Sequence, residues 1–137
     1  MVDGGLGAFA GGAAGEAYTT IVVNGAKQAA ADLGVDLTVV YSDWNAEKML
    51  ENFKHGLAAK PTGYVVMGHP GDKAYGPLVD EAFKKGMIVT AVDTELPGLQ
   101  AKYQARGFGY VGPDGWKQGE DMAKAILRRK AFTPGDK

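Results

Sequence analysis

An α/β fold, with helices laid on both faces of a parallel sheet, is what this chain predicts, on three observations. From Thr19 onward, segments of helical periodicity alternate with short β-branched runs. The stretches between those runs are long enough to carry the crossover helices that parallel strands require. Glycine or proline closes one element after another, at Gly34, Pro61 and Gly86. A chain of 137 residues suits one domain. A domain of that size hides roughly two thirds of its unfolded surface, enough for a real core.

The first strand is the weakest element. It should precede the Gly-rich stretch Gly4-Gly5-Leu6-Gly7, and only Met1 to Asp3 stand before it. The expectation is a short strand there, or one supplied by another chain, because an empty central position would leave backbone groups unpaired. Thr19 to Leu33 then places Val22, Ala26, Ala29 and Leu33 on one helix face, and Gly34 caps it. Val35 to Tyr41 reads as a strand. Asn45 to about Ala59 is a helix with a buried stripe of Ala46, Met49, Leu50, Phe53 and Leu57. Tyr64 to Met67 is a short apolar run suited to an interior strand.

Tyr75 to Lys85 is the next helix, with Leu78, Val79, Ala82 and Phe83 on one side, and Met87 to Val92 the next strand. Thr94 to Gly107 reads as a long loop and Phe108 to Val111 as a short strand. Gly115 to Lys130 is the last helix, with Met122, Ala125 and Ile126 expected inward. Residues 1–130 then form one lobe, and residues 131–137, with Thr-Pro-Gly-Asp, a hinge-like tail. Right-handed crossovers give a doubly wound, three-layer α/β/α arrangement with the flavodoxin-like strand order 2-1-3-4-5.

Bulk properties exclude several function classes. A net charge of −1 offers no electrostatic case for nucleic acid or an anionic membrane surface. The absence of cysteine removes disulfides, thiol nucleophiles and cysteine metal sites. No apolar run reaches membrane-spanning length, so no membrane insertion is expected. The first five residues lack the basic region and apolar core of a signal peptide.

In open α/β sheets, ligands sit beyond the carboxyl ends of the strands. The segments expected there are Gly4 to Gly7 with Tyr18, Ser42 to Asn45, Gly68 to Asp72, Asp93 to Glu95, and Gly112 to Trp116. They combine carboxylates, an imidazole and aromatic rings, and hold no basic residue. A neutral polyol suits that mixture. An ionised aspartate accepts hydrogen bonds from adjacent hydroxyls, and an aromatic ring covers the C–H face. Asp93, Tyr18, His69, Asp114, Trp44 and Thr94 are therefore the candidate ligand-binding residues. Each has a plainer reading: Asp93 can satisfy turn amides, His69 can pack on Pro70, and Asp114 more readily caps the last helix. Trp44 and Trp116 read more readily as surface packing, and His55 as a solvated helix residue.

No cofactor, metal or catalytic residue is expected: the chain has no nucleophile elbow and no HExxH pattern. Gly5, Gly7 and Gly11 have a GxGxxxG spacing that could approach a pyrophosphate in a nucleotide-binding enzyme, but no full strand precedes them. A self-associating structural module, through homo-oligomer formation or chain exchange, is the other alternative.

Several segments together resemble the periplasmic sugar-binding proteins of ABC transporters, of the ribose-binding type. They are Asp3 to Gly7; Tyr18 to Ala30; Leu33 to Asp36; Leu57 to Met67; Ala82 to Asp93; and Tyr110 to Asp114 with Gly119. The resemblance implies a type I fold, a hinge-closing mechanism, a periplasmic setting and a membrane permease as partner. It implies sugar contacts from Tyr18 and Asp93, and from His69 at the end of strand three. There are three departures. The chain spans only the first of two lobes. The segment Ala8 to Ala17 replaces a short polar-aromatic loop. Thr94 stands where the ribose-type pattern has arginine after the strand-four aspartate. The resemblance thus implies the first lobe of a receptor for a small neutral sugar or polyol, held differently from ribose; half a cleft leaves one face of the ligand wet, so this lobe alone is expected to bind weakly or not at all.

Overall fold

The structure, a computed structural model, describes residues 6–129. Five parallel strands form one sheet: β1 (Leu6–Ala10), β2 (Leu37–Tyr41), β3 (Gly63–Met67), β4 (Ile88–Val92) and β5 (Tyr110–Val111). Their order is β2-β1-β3-β4-β5, as the alternating pattern predicts. The first strand differs from expectation. It is the glycine-rich stretch itself that forms β1, pairing Leu6 to Ala10 with Leu37 to Tyr41 and Leu6 to Ala8 with Gly63 to Val65. The central position is filled by this chain, not by another, while Met1 to Asp3 lie outside the described residues. Glycine is admitted there because Gly7 lies under the Tyr64 ring, where a Cβ would come within 2.9 Å of Tyr64 Cδ2.

α1 (Ala17–Leu33) starts two residues earlier than its apolar periodicity suggests, because Glu16 caps it. The Glu16 carboxylate accepts from the amides of Tyr18 and Thr19 and from the Thr19 hydroxyl at 2.7 Å. Gly34, at φ 67°, closes the helix in the left-handed region. α2 (Ala46–Ala59) is capped by the Asn45 side chain and buries Met49, Phe53 and Leu57. α3 (Gly71–Lys84) begins four residues earlier than expected and buries Tyr75, Val79, Ala82 and Phe83.

The expected loop from Thr94 to Gly107 is in fact mostly helical. α4 (Pro97–Tyr103) runs into a 3-10 turn over Gln104–Arg106. Its cap comes from 26 residues upstream in the sequence: the Asp72 carboxylate accepts from the amides of Gly98 at 3.1 Å and Leu99 at 2.8 Å. The helix is then pinned by Tyr103, whose ring stacks on Phe83 with centroids 4.2 Å apart. The Tyr103 hydroxyl also donates to Asp80.

The two faces of the sheet are covered unequally. Tyr64, Val66, Val89 and Ala91, alternating along β3 and β4, are buried against the side that carries α2 and α3, where Phe53 and Tyr64 meet at 4.8 Å. On the opposite side Val65, Thr90 and Val92 are only half-buried, Ile88 is 48% exposed and Val111 68% exposed. Among the described residues lining the groove on that side, the helical ones all belong to α1. The last helix, α5 (Gly115–Arg129), corrects a second expectation: Met122, Ala125 and Ile126 are exposed, as is every other residue of the helix. The proposed hinge-like tail, residues 131–137, lies outside the described residues.

Candidate functional site

The carboxyl edge of the sheet gathers Tyr18, Trp44, His69, Asp93 and Thr94, which come from four separate stretches of sequence. Asp93 ends β4 and is their centre. The Tyr18 hydroxyl donates to its Oδ1. His69 Nε2 lies 3.5 Å from Oδ2, and the Thr94 hydroxyl 3.4 Å from the same oxygen. Thr94 Oγ1 is also 3.4 Å from His69 Nδ1. The Asp93 carboxylate pushes the Tyr18 phenol up to about 12, first by accepting its hydrogen bond, then with help from partial burial and direct charge repulsion.

Trp44 walls this group on one side. Its ring centroid is 5.4 Å from that of His69, edge-on, and 6.3 Å from that of Tyr18. The backbone reaches this position through two successive left-handed residues, Asp43 at φ 50° and Trp44 at φ 59°. Such a conformation costs of order 1–3 kcal/mol per non-glycine residue and persists only where the surroundings hold it. Here the Trp44 amide donates to the Gly11 carbonyl at 2.6 Å. Asn52 reaches from α2 to the Ser42 hydroxyl at 3.0 Å and the Tyr41 carbonyl at 3.2 Å. Asp93 is left-handed as well, at φ 67°. Its carbonyl accepts from the Tyr110 hydroxyl at 2.9 Å.

Gly68 makes the convergence of β3 and β4 possible. A Cβ there would lie 2.1 Å from the Thr94 carbonyl oxygen. Asn52, Gly68 and Tyr110 were not singled out by sequence reasoning. Only Gly68 had a signal, a glycine directly after an interior strand.

Asp114 stands apart from the group. Its carboxylate accepts from the Lys117 amide at 2.9 Å and so caps α5, the plainer of its two sequence readings. Trp116 is almost fully exposed, and His55 is exposed on α2. Among the described residues, the only cation ion-paired to these edge segments is Lys48, 2.5 Å from Asp43 Oδ2. Among the described residues, no group of three or more His, Asp or Glu side chains could hold a metal ion. None of the described helices is long and apolar enough to cross a membrane. The glycine spacing read as a pyrophosphate loop is used otherwise. Gly7 sits inside β1, and the Gly11 amide is turned to Met67 Sδ at 2.8 Å, while Gly5 lies outside the described residues.

A parallel sheet of this order, flanked by helices, matches the fold of one lobe of a type I periplasmic binding protein. The model of the periplasmic binding protein domain matches residues 7–131, and the chain belongs to that family. A search of curated protein sequences gave no match. Solved structures similar to it include an ABC sugar transporter periplasmic sugar-binding protein from Legionella pneumophila, 24% identical with a TM-score of 0.76. That match covers 91% of this chain and 45% of the other. GanP, a glucose-galactose binding protein from Geobacillus stearothermophilus, is 25% identical over 93% of this chain and 43% of its own, with a TM-score of 0.74. A solute-binding protein from Actinobacillus succinogenes, solved with bound D-allose, is 22% identical over 91% of this chain and 44% of its own, with a TM-score of 0.74. The chain thus spans less than half the length of these structures.

Proposed function

We propose that the chain acts as the first lobe of a two-lobed receptor for a small neutral sugar or polyol, serving an ABC-type permease from the periplasmic side, with no catalytic step. The observation that carries this reading is the convergence of Tyr18, Trp44, His69 and Thr94 on the Asp93 carboxylate. An ionised carboxylate has about four lone-pair sites and can accept from a pair of vicinal hydroxyls, while His69 and Thr94 offer both donors and acceptors. The Trp44 ring presents an apolar wall to sugar C–H groups. A phosphate or carboxylate ligand would need a cation, and none of the clustered side chains is a lysine or arginine.

One lobe leaves one side of the ligand in water, so its hydrogen bonds gain little from a dry, low-dielectric surrounding. Binding by this chain alone is weak, about millimolar or worse. The test is an amide chemical-shift titration with neutral pentoses, hexoses and a sugar phosphate. The expected result is shifts at Tyr18, Trp44, His69, Asp93 and Thr94 with one or more neutral sugars, lost in Asp93→Asn and absent with the phosphate. Shifts confined to another surface, preference for the phosphate, or no response to any neutral sugar at high millimolar concentration would overturn the reading.

A further inference from the structure

We propose that Asn52, on α2, is a positioning residue for the binding edge: through the turn after β2 it holds the Trp44 ring in place as the apolar wall. That a ligand uses this wall rests on the sugar reading above; the positioning itself does not.

The turn Ser42-Asp43-Trp44 contains no glycine, yet Asp43 and Trp44 are both left-handed, at φ 50° and 59°. For a residue as bulky as Trp44 that conformation needs support from outside the turn. α2 grips the turn at both ends. Asn45 caps the helix, its side chain accepting from the Lys48 amide at 2.9 Å, while its own amide donates to the Ser42 carbonyl at 2.9 Å. Asn52 stands about two helical turns further along. Its side-chain amide has two hydrogens, one for each of two acceptors. These are the Tyr41 carbonyl at 3.2 Å and the Ser42 hydroxyl oxygen at 3.0 Å. Tyr41 is the last residue of β2, and Ser42 is fully buried, so Asn52 fixes the point where the strand stops and the turn begins. Asparagine is a poor residue for a helix interior, because its amide competes for backbone partners. At this half-buried position the two bonds to the turn account for it.

The ring that the turn carries is confined on two sides. A Cβ on Gly12 would come within 2.9 Å of Trp44 Cζ2, so the six-membered ring lies close against the Gly12 backbone. His69 meets the indole edge-on, with centroids 5.4 Å apart. Trp44 is still 42% exposed, which leaves ring surface for the C–H groups of a ligand. Asn52 acts on this ring through the backbone alone: a rotation at Ser42 or Asp43 would swing the indole away from His69 and open the wall.

Fluorescence of the whole chain tests this, in a Trp116→Phe background that leaves Trp44 as the sole tryptophan. Trp116 is 92% exposed, so its replacement spares the fold. Imidazole changes charge between about pH 5 and 8, and an imidazolium against the indole edge quenches its emission. Trp44 emission should fall in a step as pH is lowered, and His69→Gln should remove the step. Asn52→Leu keeps a side chain of similar size and suits a helix, but has no hydrogens to donate. It should lose most of the step with an unchanged circular dichroism spectrum. Ser42→Ala deletes the buried hydroxyl together with its need for a partner, so it loosens the same grip without stranding a polar atom, and should lose part of the step. Tyr64→Phe removes only the bond to the Asn52 backbone carbonyl and should keep the step whole. In the sugar titration, Asn52→Leu should weaken the response about three- to tenfold, the weight of one aromatic contact, with Asp93 and Thr94 still shifting. No step in the parent, a full step in both Asn52→Leu and Ser42→Ala, a step lost equally in Tyr64→Phe, or sugar affinity untouched by Asn52→Leu would each overturn the proposal. A parent chain that answers no neutral sugar would instead sink the sugar reading, and the fluorescence step would still decide the positioning.

Discussion

Replacing Gly68 by alanine tests the geometry on which the whole edge depends. The added methyl carbon would lie 2.1 Å from the Thr94 carbonyl oxygen, 2.8 Å from its carbon and 3.2 Å from Leu96 Cγ. Real contacts of this kind stay at or beyond 3.0 Å, so the Thr94 backbone must retreat by about 1 Å. Neither neighbour can yield easily. Thr94 is backbone in a tight turn, its amide donating to the Val92 carbonyl at 2.8 Å, and Leu96 is fully buried. Overpacking against such a site costs about 1–3 kcal/mol. For a domain of this size that is a fall of roughly 3–10 °C in Tm. Gly25→Ala, in the interior of α1, is the control. Its Cβ would meet nothing within 4 Å, and in a helix interior alanine is favoured by roughly 0.5–1 kcal/mol. The same chemical change should therefore destabilise at one glycine and stabilise at the other. Urea denaturation followed by circular dichroism reads both. A Gly68→Ala variant as stable as its parent, with the His69 and Asp93 amide shifts unmoved, would refute the close approach of the two strand ends.

Two pH-dependent outcomes accompany it. The Tyr18 phenol is raised from its ordinary 10 to about 12 by Asp93, so it favours the folded state below pH 10, and that contribution disappears as pH rises from 10 through 12. Ultraviolet titration of phenolate should show a late-ionising tyrosine that moves earlier in Asp93→Asn; an unchanged curve would break the Tyr18–Asp93 link. Glu16 is held below its ordinary value by the Thr19 hydroxyl and then the Thr19 amide. Its contribution is present above pH 4.5 and declines as pH falls through the lowered folded value. Glu16→Ala should lower the melting temperature at pH 7 and flatten its decline between pH 5 and 3, and equal melting curves for the two proteins would remove the cap from α1.

The residue order alone decided the α/β alternation, the strand order and the glycine stops, because each follows from local periodicity and the handedness of crossovers. It also brought Tyr18, His69, Asp93 and Thr94 to one rim, since strand ends of a parallel sheet share an edge. Other features were settled only between distant residues. The residues around Pro97 read as loop until Asp72, far upstream, supplies the cap that α4 lacks locally. The stretch from Leu6 to Ala10 looks like a loop, rich in glycine and alanine, and becomes a strand because β2 and β3 offer it hydrogen bonds on both sides. α5 shows the reverse. Its stripe of Met122 and Ile126 spells a buried helix, and its pattern states that the stripe packs without naming the surface. Periodicity records which side of an element avoids water; which surface covers it depends on where the chain leaves the sheet, and here the Tyr110 hydroxyl holds the Pro113 carbonyl just before α5, which is exposed along its whole length.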